Sequence, residues 1–146
     1  MANPVITNRD TADFVMFNPI YRDVANVTVP AGETLERGTI IGNIADGTAT
    51  QKWDDDTVIV AGITAESFTN STEADVEVKL RAMVSGEFDQ GIVETITGVS
   101  MTDDVTMVVE VESADIDITT QTLGQLMTNA GLIPTFVQVN DELDNQ

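Results

Sequence analysis

Between Val27 and Phe88 the chain is a succession of short β-type segments punctuated by glycine turns, and this order constrains the fold more than any other feature. Pro30-Ala31-Gly32-Glu33-Thr34-Leu35 leads through Gly38-Thr39-Ile40-Ile41-Gly42 to Trp53-Asp54, then to Val60-Ala61-Gly62-Ile63, and finally to a strand closing at Gly86-Glu87-Phe88. Thr39 to Ile44 is apolar and β-branched, Ala45-Asp46-Gly47-Thr48 supplies a turn, and Ala49 to Trp53 returns, so this part predicts a hairpin. Val58 to Ala65 is a continuous apolar run of strand length, which calls for burial on both faces or a place in a closed sheet. Val76, Val78, Leu80, Ala82 and Val84 alternate with Glu77, Lys79, Arg81 and Met83, which predicts a strand with its aliphatic residues inward and its charges outward.

Beyond this region the pattern weakens. Ile92-Val93-Glu94-Thr95-Ile96 is followed by a turn at Thr97-Gly98, then by alternating segments at Val105 to Glu112 and Ser113 to Thr120. Together they predict an additional hairpin or edge ribbon whose outward carboxylates oppose edge-to-edge aggregation. Leu123, Leu126, Met127 and Ala130 fall on one side of a short helix that Thr119 or Thr120 can cap, with Gly131 suited to its C′ position. Pro134 then starts a last strand through Phe136, Val137 and Val139. The expected class is therefore mainly β: a small barrel-like β body with one short C-terminal helix and an extended N-terminal arm.

The arm is inferred from the first 25 residues. Val5, Ile6, Phe14, Val15, Met16, Phe17, Ile20 and Tyr21 are interrupted by Asn-Arg-Asp-Thr and by Asn18-Pro19, and they fit neither a clean helix face nor a clean alternation. Burying these side chains does not offset the entropy of ordering about 20 residues, so such a segment orders against a partner, for instance by adding a strand to its sheet. An ordinary first strand packed on its own domain is the alternative.

Charge separates the two parts. The 146 residues hold 6 basic and 25 acidic side chains, a net charge of −19. Arg9 and Arg22 nearly balance Asp10, Asp13 and Asp23 in the first 30 residues, whereas no Lys or Arg follows Arg81. An acidic body repels phosphate backbones, which argues against nucleic-acid binding. The chain lacks the basic and apolar regions of a secretory signal, and no apolar run is long enough to span a bilayer, so a soluble, unexported protein without membrane contact is expected.

Chemistry is sparsely provided for. With no His and no Cys, nucleophile systems that need either, and imidazole or thiolate metal sites, are excluded, and no disulfide is available. There is no phosphate loop or dinucleotide fingerprint, and nothing among the acidic residues selects a glycosidase-type pair. Asp54-Asp55-Asp56 lacks the spacing of a calcium loop and reads as a solvated turn. No enzymatic activity, cofactor or metal is expected.

The Ala31-Gly32 turn, Leu35, Gly38-Thr39-Ile40, Trp53-Asp54, Ala61-Gly62-Ile63 and the strand closing at Ser85-Gly86-Glu87-Phe88 stand in the order and spacing of the head decoration proteins of lambda-type tailed phages. The chain resembles that family over about half its length, and the short helix followed by a final strand adds to the likeness. Glu94 to Thr120 departs from it, as an insertion relative to the smallest members. The resemblance implies a capsid cement protein, a homotrimer on the outer surface of the virion, made in the bacterial host cytoplasm, that stabilises the expanded head against the pressure of packaged DNA. Its partners are then the major capsid protein and itself. On this reading residues 1–25 are a capsid-binding arm using Val5, Ile6, Phe14, Val15, Phe17, Ile20 and Tyr21. Residues 26–140 form the decoration domain with 94–120 as an inserted hairpin, and 141–146 are a disordered acidic tail. Deletion of residues 1–21 is then expected to abolish capsid binding and leave the body folded. The alternatives are a surface carbohydrate-binding or adhesive β module, which needs an aromatic-lined groove, and a shell or tail-tube subunit.

Overall fold

The computed structural model describes residues 13–44, 49–111 and 114–136, the stretch 107–120 by its backbone alone. In chain order the elements are β1 (Val15–Val29), β2 (Thr34–Leu35), β3 (Ile40–Ile44), β4 (Thr50–Lys52), β5 (Thr57–Thr64), β6 (Phe68–Thr69), β7 (Val76–Asp89), α1 (Gln90–Thr97), β8 (Asp104–Val111), β9 (Ala114–Thr122), α2 (Leu123–Asn129) and β10 (Leu132–Thr135). The protein is mainly β, as the periodicity predicts, and five of the strands close a barrel.

The closure can be followed strand by strand. β3 lies antiparallel to β4, with Ile41 opposite Lys52, and to β5, with Ile40 opposite Ile63. β5 pairs antiparallel with β7 at Ile63–Met83 and Thr64–Ala82. β7 runs antiparallel to the whole of β1, from Val15–Phe88 to Val29–Val76, and β1 returns to β4 in parallel at Val27–Thr50. β5 leaves β7 after Met83, and β10 takes over the same edge in parallel, with Leu132 opposite Gly86 and Thr135 opposite Asp89. β2 and β6 pair as a separate two-stranded sheet.

Side-chain alternation divides the interior into two cores. Val27, Val29, Leu35, Ile41, Leu80 and Ala82 form one. Phe14, Ile40, Trp53, Ile63, Met83, Phe88, Val93, Met101, Leu123, Met127 and Leu132 form the other, to which both helices contribute. Neighbouring residues Ile40 and Ile41 thus go to opposite cores, as a period of two requires. The β7 alternation holds through exposed Glu77, Lys79 and Arg81 but not at Met83, expected outward and in fact fully buried, because this face is covered by the second core.

Three boundaries differ from the sequence reading; the last strand, expected from Pro134 through Phe136, Val137 and Val139, is β10 at Leu132–Thr135, with Val137 and Val139 outside the described residues. Ile92 to Ile96 belongs to a helix, not to a β segment: Asp89 caps it by accepting from Ile92 N–H (3.2 Å), and Gly98 ends it with φ +83°. Val93 and Thr97, four apart, form its buried contact, a spacing that a period-two reading overlooks. The ribbon accordingly begins at Asp104, where β8 and β9 pair antiparallel. For α2 the cap is Thr122 rather than Thr119 or Thr120. Its hydroxyl accepts from Gln125 N–H (3.2 Å) while Gln125 Oε1 accepts from Thr122 N–H (2.8 Å), a complete capping box. Gly131 takes φ +95° after the helix end, as expected for a C′ glycine.

Candidate functional site: an exposed apolar face at the Asn18–Pro19 bulge

β1 begins the body and at the same time carries the most exposed apolar residues near the N-terminal segment. Its pairing with β7 slips between Phe17, opposite Glu87, and Ile20, opposite Ser85, so one extra residue bulges out at Asn18-Pro19. The local sequence explains the position. Asn18 adopts φ +51°, a conformation that asparagine tolerates better than most residues, and Pro19 has no N–H to offer a ladder. The bulge crowds β7, and Gly86 makes room for it. A Cβ there would lie 2.8 Å from the Asn18 carbonyl oxygen and 3.0 Å from that of Phe17.

The bulge displays the two side chains that flank it. Phe17 is 58% exposed and Ile20 56%. They line an open groove of about 540 Å³ together with Pro19, Gly86 and Ile133. Ile133 and Phe136, the latter 73% exposed, bring further apolar surface from β10 and its end, and Met16 is exposed beside Phe17. Asn18, Ser85 and Glu87 are the polar residues of its lining, and Glu87 accepts a hydrogen bond from the Thr135 hydroxyl (3.2 Å). Such a surface offers contact area and a strand edge. β10 has β7 on one side and, among the described residues, no strand on the other.

The seven residues assigned to a capsid-binding arm separate into three groups. Phe17 and Ile20 face outward, as a contact surface requires. Phe14 does not: it is 1% exposed within the second core, its carbonyl accepts from Asp89 N–H (2.7 Å), and the Arg37 guanidinium lies 5.0 Å from its ring centre. Val15 and Tyr21 are half-buried against the same core, with Arg81 stacked 4.9 Å from the Tyr21 ring. Val5 and Ile6 lie outside the described residues. From Phe14 onward, the described part of the expected arm is built into the body, while residues 1–12 lie outside the described residues. Strand pairing with β7 and the packing of Phe14 under Phe88 and Val93 order this segment on its own subunit.

Asp13 marks the junction. Its carboxylate accepts from Arg37 at 2.8 Å and from Val15 N–H at 2.9 Å, while Arg37 also donates to the Ala65 carbonyl (2.9 Å). Ile133 and Phe136 escape the sequence reading because Ile133 precedes the strand expected from Pro134 and Phe136 falls inside that strand. Pro134 between them, a residue confined to sheet edges, is the signal that marks it as an edge.

The remaining sequence candidates are structural. Asp54 folds its own turn, accepting from Asp56 N–H (2.8 Å) and Gln51 Nε2 (2.8 Å), while Thr57 both donates to its carbonyl and accepts from its N–H. Trp53 is 6% exposed and packs against Gly42, whose missing Cβ would stand 2.6 Å from the indole. It offers no stacking platform for a sugar. Among the described residues no three acidic side chains gather as metal ligands. No protein-family model matches the chain, and neither a curated protein nor a solved structure does.

Proposed function

We propose that the protein is a capsid decoration (cement) protein of a lambda-type tailed phage, a homotrimer that attaches to the outside of the expanded head and stabilises it. The observation that carries this reading is the exposed apolar face of Phe17, Ile20, Ile133 and Phe136 on a chain whose net charge is −19. A strongly anionic protein that keeps an apolar face in water gains by covering it, and an apolar patch of this kind marks an interaction surface. The sequence resemblance supplies the identity of the partner, the major capsid protein.

The mechanism is mechanical. The N-terminal segment ahead of Phe14 and the Phe17–Ile20 face bind the shell, with the free edge of β10 available for strand addition. Three such contacts in one trimer raise the effective concentration of each, so modest individual affinities add to firm attachment across neighbouring capsid subunits. The acidic remainder faces solvent.

The test mixes the purified protein with expanded and unexpanded shells of lambda-type phages and measures co-sedimentation. Stoichiometric attachment to expanded shells, lost in the Phe17→Ser/Ile20→Ser variant, is the expected result. Attachment of that variant at wild-type level, or none by the wild-type protein, overturns the reading.

A further inference from the structure

The register of β8 against β9 sorts the ribbon into two rows. Met107 stands opposite Ile118, Val109 opposite Ile116 and Val111 opposite Ala114. Directly opposed residues of an antiparallel pair share a face, so these six positions make one row, and all six residues are apolar. In the row between them Val108 is opposite Asp117 and Glu110 opposite Asp115, which assigns Glu110, Asp115 and Asp117 to the alternate row of positions.

The root of this ribbon is tied to the body. Val105 packs against the second core, and Leu123 N–H donates to the Asp103 carbonyl (2.8 Å). Beyond the root, β8 and β9 form a two-stranded sheet of their own, to which no other described strand adds, and the elements they chiefly meet are β5 and α2. A two-stranded ribbon is marginal in water unless its apolar face is covered.

We propose that the row Met107, Val109, Val111, Ala114, Ile116 and Ile118 is a self-association face, covered by the same row of another copy of this chain. Charge selects the occupant. Two chains at −19 repel wherever their acidic surfaces approach, so copies meet where neither carries charge, and this row is free of it. A basic partner is steered instead to the opposite row, where Glu110, Asp115 and Asp117 stand. The inference names the contact within the proposed homotrimer and rests on that reading for the number of copies, not for self-association itself.

The experiment is sedimentation equilibrium of the full-length protein at moderate salt. Val109→Asp/Ile116→Asp weakens self-association at least about tenfold, the effect of a charge forced into an apolar contact, whereas Asp115→Asn/Asp117→Asn keeps or strengthens it. Wild-type association in the first variant, or a wild-type protein that is monomeric at both low and high salt, overturns the inference. A second measurement is independent of that variant's folding. The chain has no cysteine, so Val109→Cys and Asp117→Cys each introduce a single thiol for a short bis-maleimide. Covalent dimers from Val109→Cys but not from Asp117→Cys support the face, and equal yields from both contradict it. Shell co-sedimentation of the same variants is scored separately: failure to bind shells with self-association intact refutes the capsid reading and leaves this face standing.

Discussion

Gly86 and Asn18 approach so closely that a Cβ on Gly86 would sit 2.8 Å from the Asn18 carbonyl oxygen, and the apolar face depends on that approach. Gly86 also takes φ +128°, which side chains rarely adopt. Gly86→Ala is therefore expected to cost about 1–3 kcal/mol and to push the bulge off β7. Thermal unfolding measures the first effect as a fall of several degrees. Shell attachment measures the second, because Phe17 and Ile20 move with the bulge.

Two phenylalanines three residues apart should behave oppositely. Phe14→Ala empties a site that is 1% exposed and is expected to destabilise the protein by about 3–5 kcal/mol. Phe17→Ala removes a side chain that is 58% exposed and should change stability by less than about 1 kcal/mol while weakening shell attachment. Denaturant unfolding alongside co-sedimentation separates the two.

Truncation gives a sharper boundary than residue 21. Removing residues 1–12 spares Phe14, the Asp13–Arg37 ion pair and all of β1, so the body is expected to unfold at nearly the wild-type temperature. Removing residues 1–21 takes Phe14 from the core and unpairs β7 from Val15–Phe88 to Tyr21–Met83, and a large loss of stability follows. Circular dichroism melts of the two truncations check this.

Asn70 carries a different part of the stability. It is buried in the connection between β6 and β7, where its Nδ2 donates to the carbonyls of Val29 and Ala74 (both 2.9 Å). Its Oδ1 accepts from the N–H and hydroxyl of Thr72. Asn70→Ala leaves the Val29 carbonyl without this partner and is expected to cost on the order of 2–3 kcal/mol. Asn70→Asp, which replaces the donating Nδ2 by one carboxylate oxygen facing both carbonyls, should cost more at neutral pH than at low pH, where the acid is protonated. Chemical denaturation at both pH values reads the difference.

Self-association should strengthen with salt. Each copy carries −19, and repulsion between copies is screened over about 10 Å at 0.1 M salt and about 3 Å at 1 M. Sedimentation at the two salt concentrations is expected to shift toward the larger species at the higher one.

The β body was legible in the sequence because short strands with covered faces leave a period of two and glycines at their turns. The β3–β4 hairpin, β5 and most of β7 fall where those signals put them. Helix α1 was not legible, since its buried contact is one pair, Val93 and Thr97, on eight residues. Phe14 misled for a related reason. It stands among polar breaks and a proline that argue against a core strand, yet bulges at Asn18 and Asn26, both at positive φ, let β1 pair across those breaks. The candidate face was half legible: Phe17 and Ile20 were singled out from β1, whereas Ile133 and Phe136 join them only because β10 pairs in parallel with the end of β7, a long-range register that local pattern does not encode.

The most direct test of the central claim is cryo-electron microscopy of expanded phage shells incubated with the protein. Added trimeric density is expected at three-fold or quasi-three-fold positions, with the Phe17–Ile20 face against the shell and the acidic surface outward. Bare shells at saturating protein, or bound protein with that face turned to solvent, contradict it.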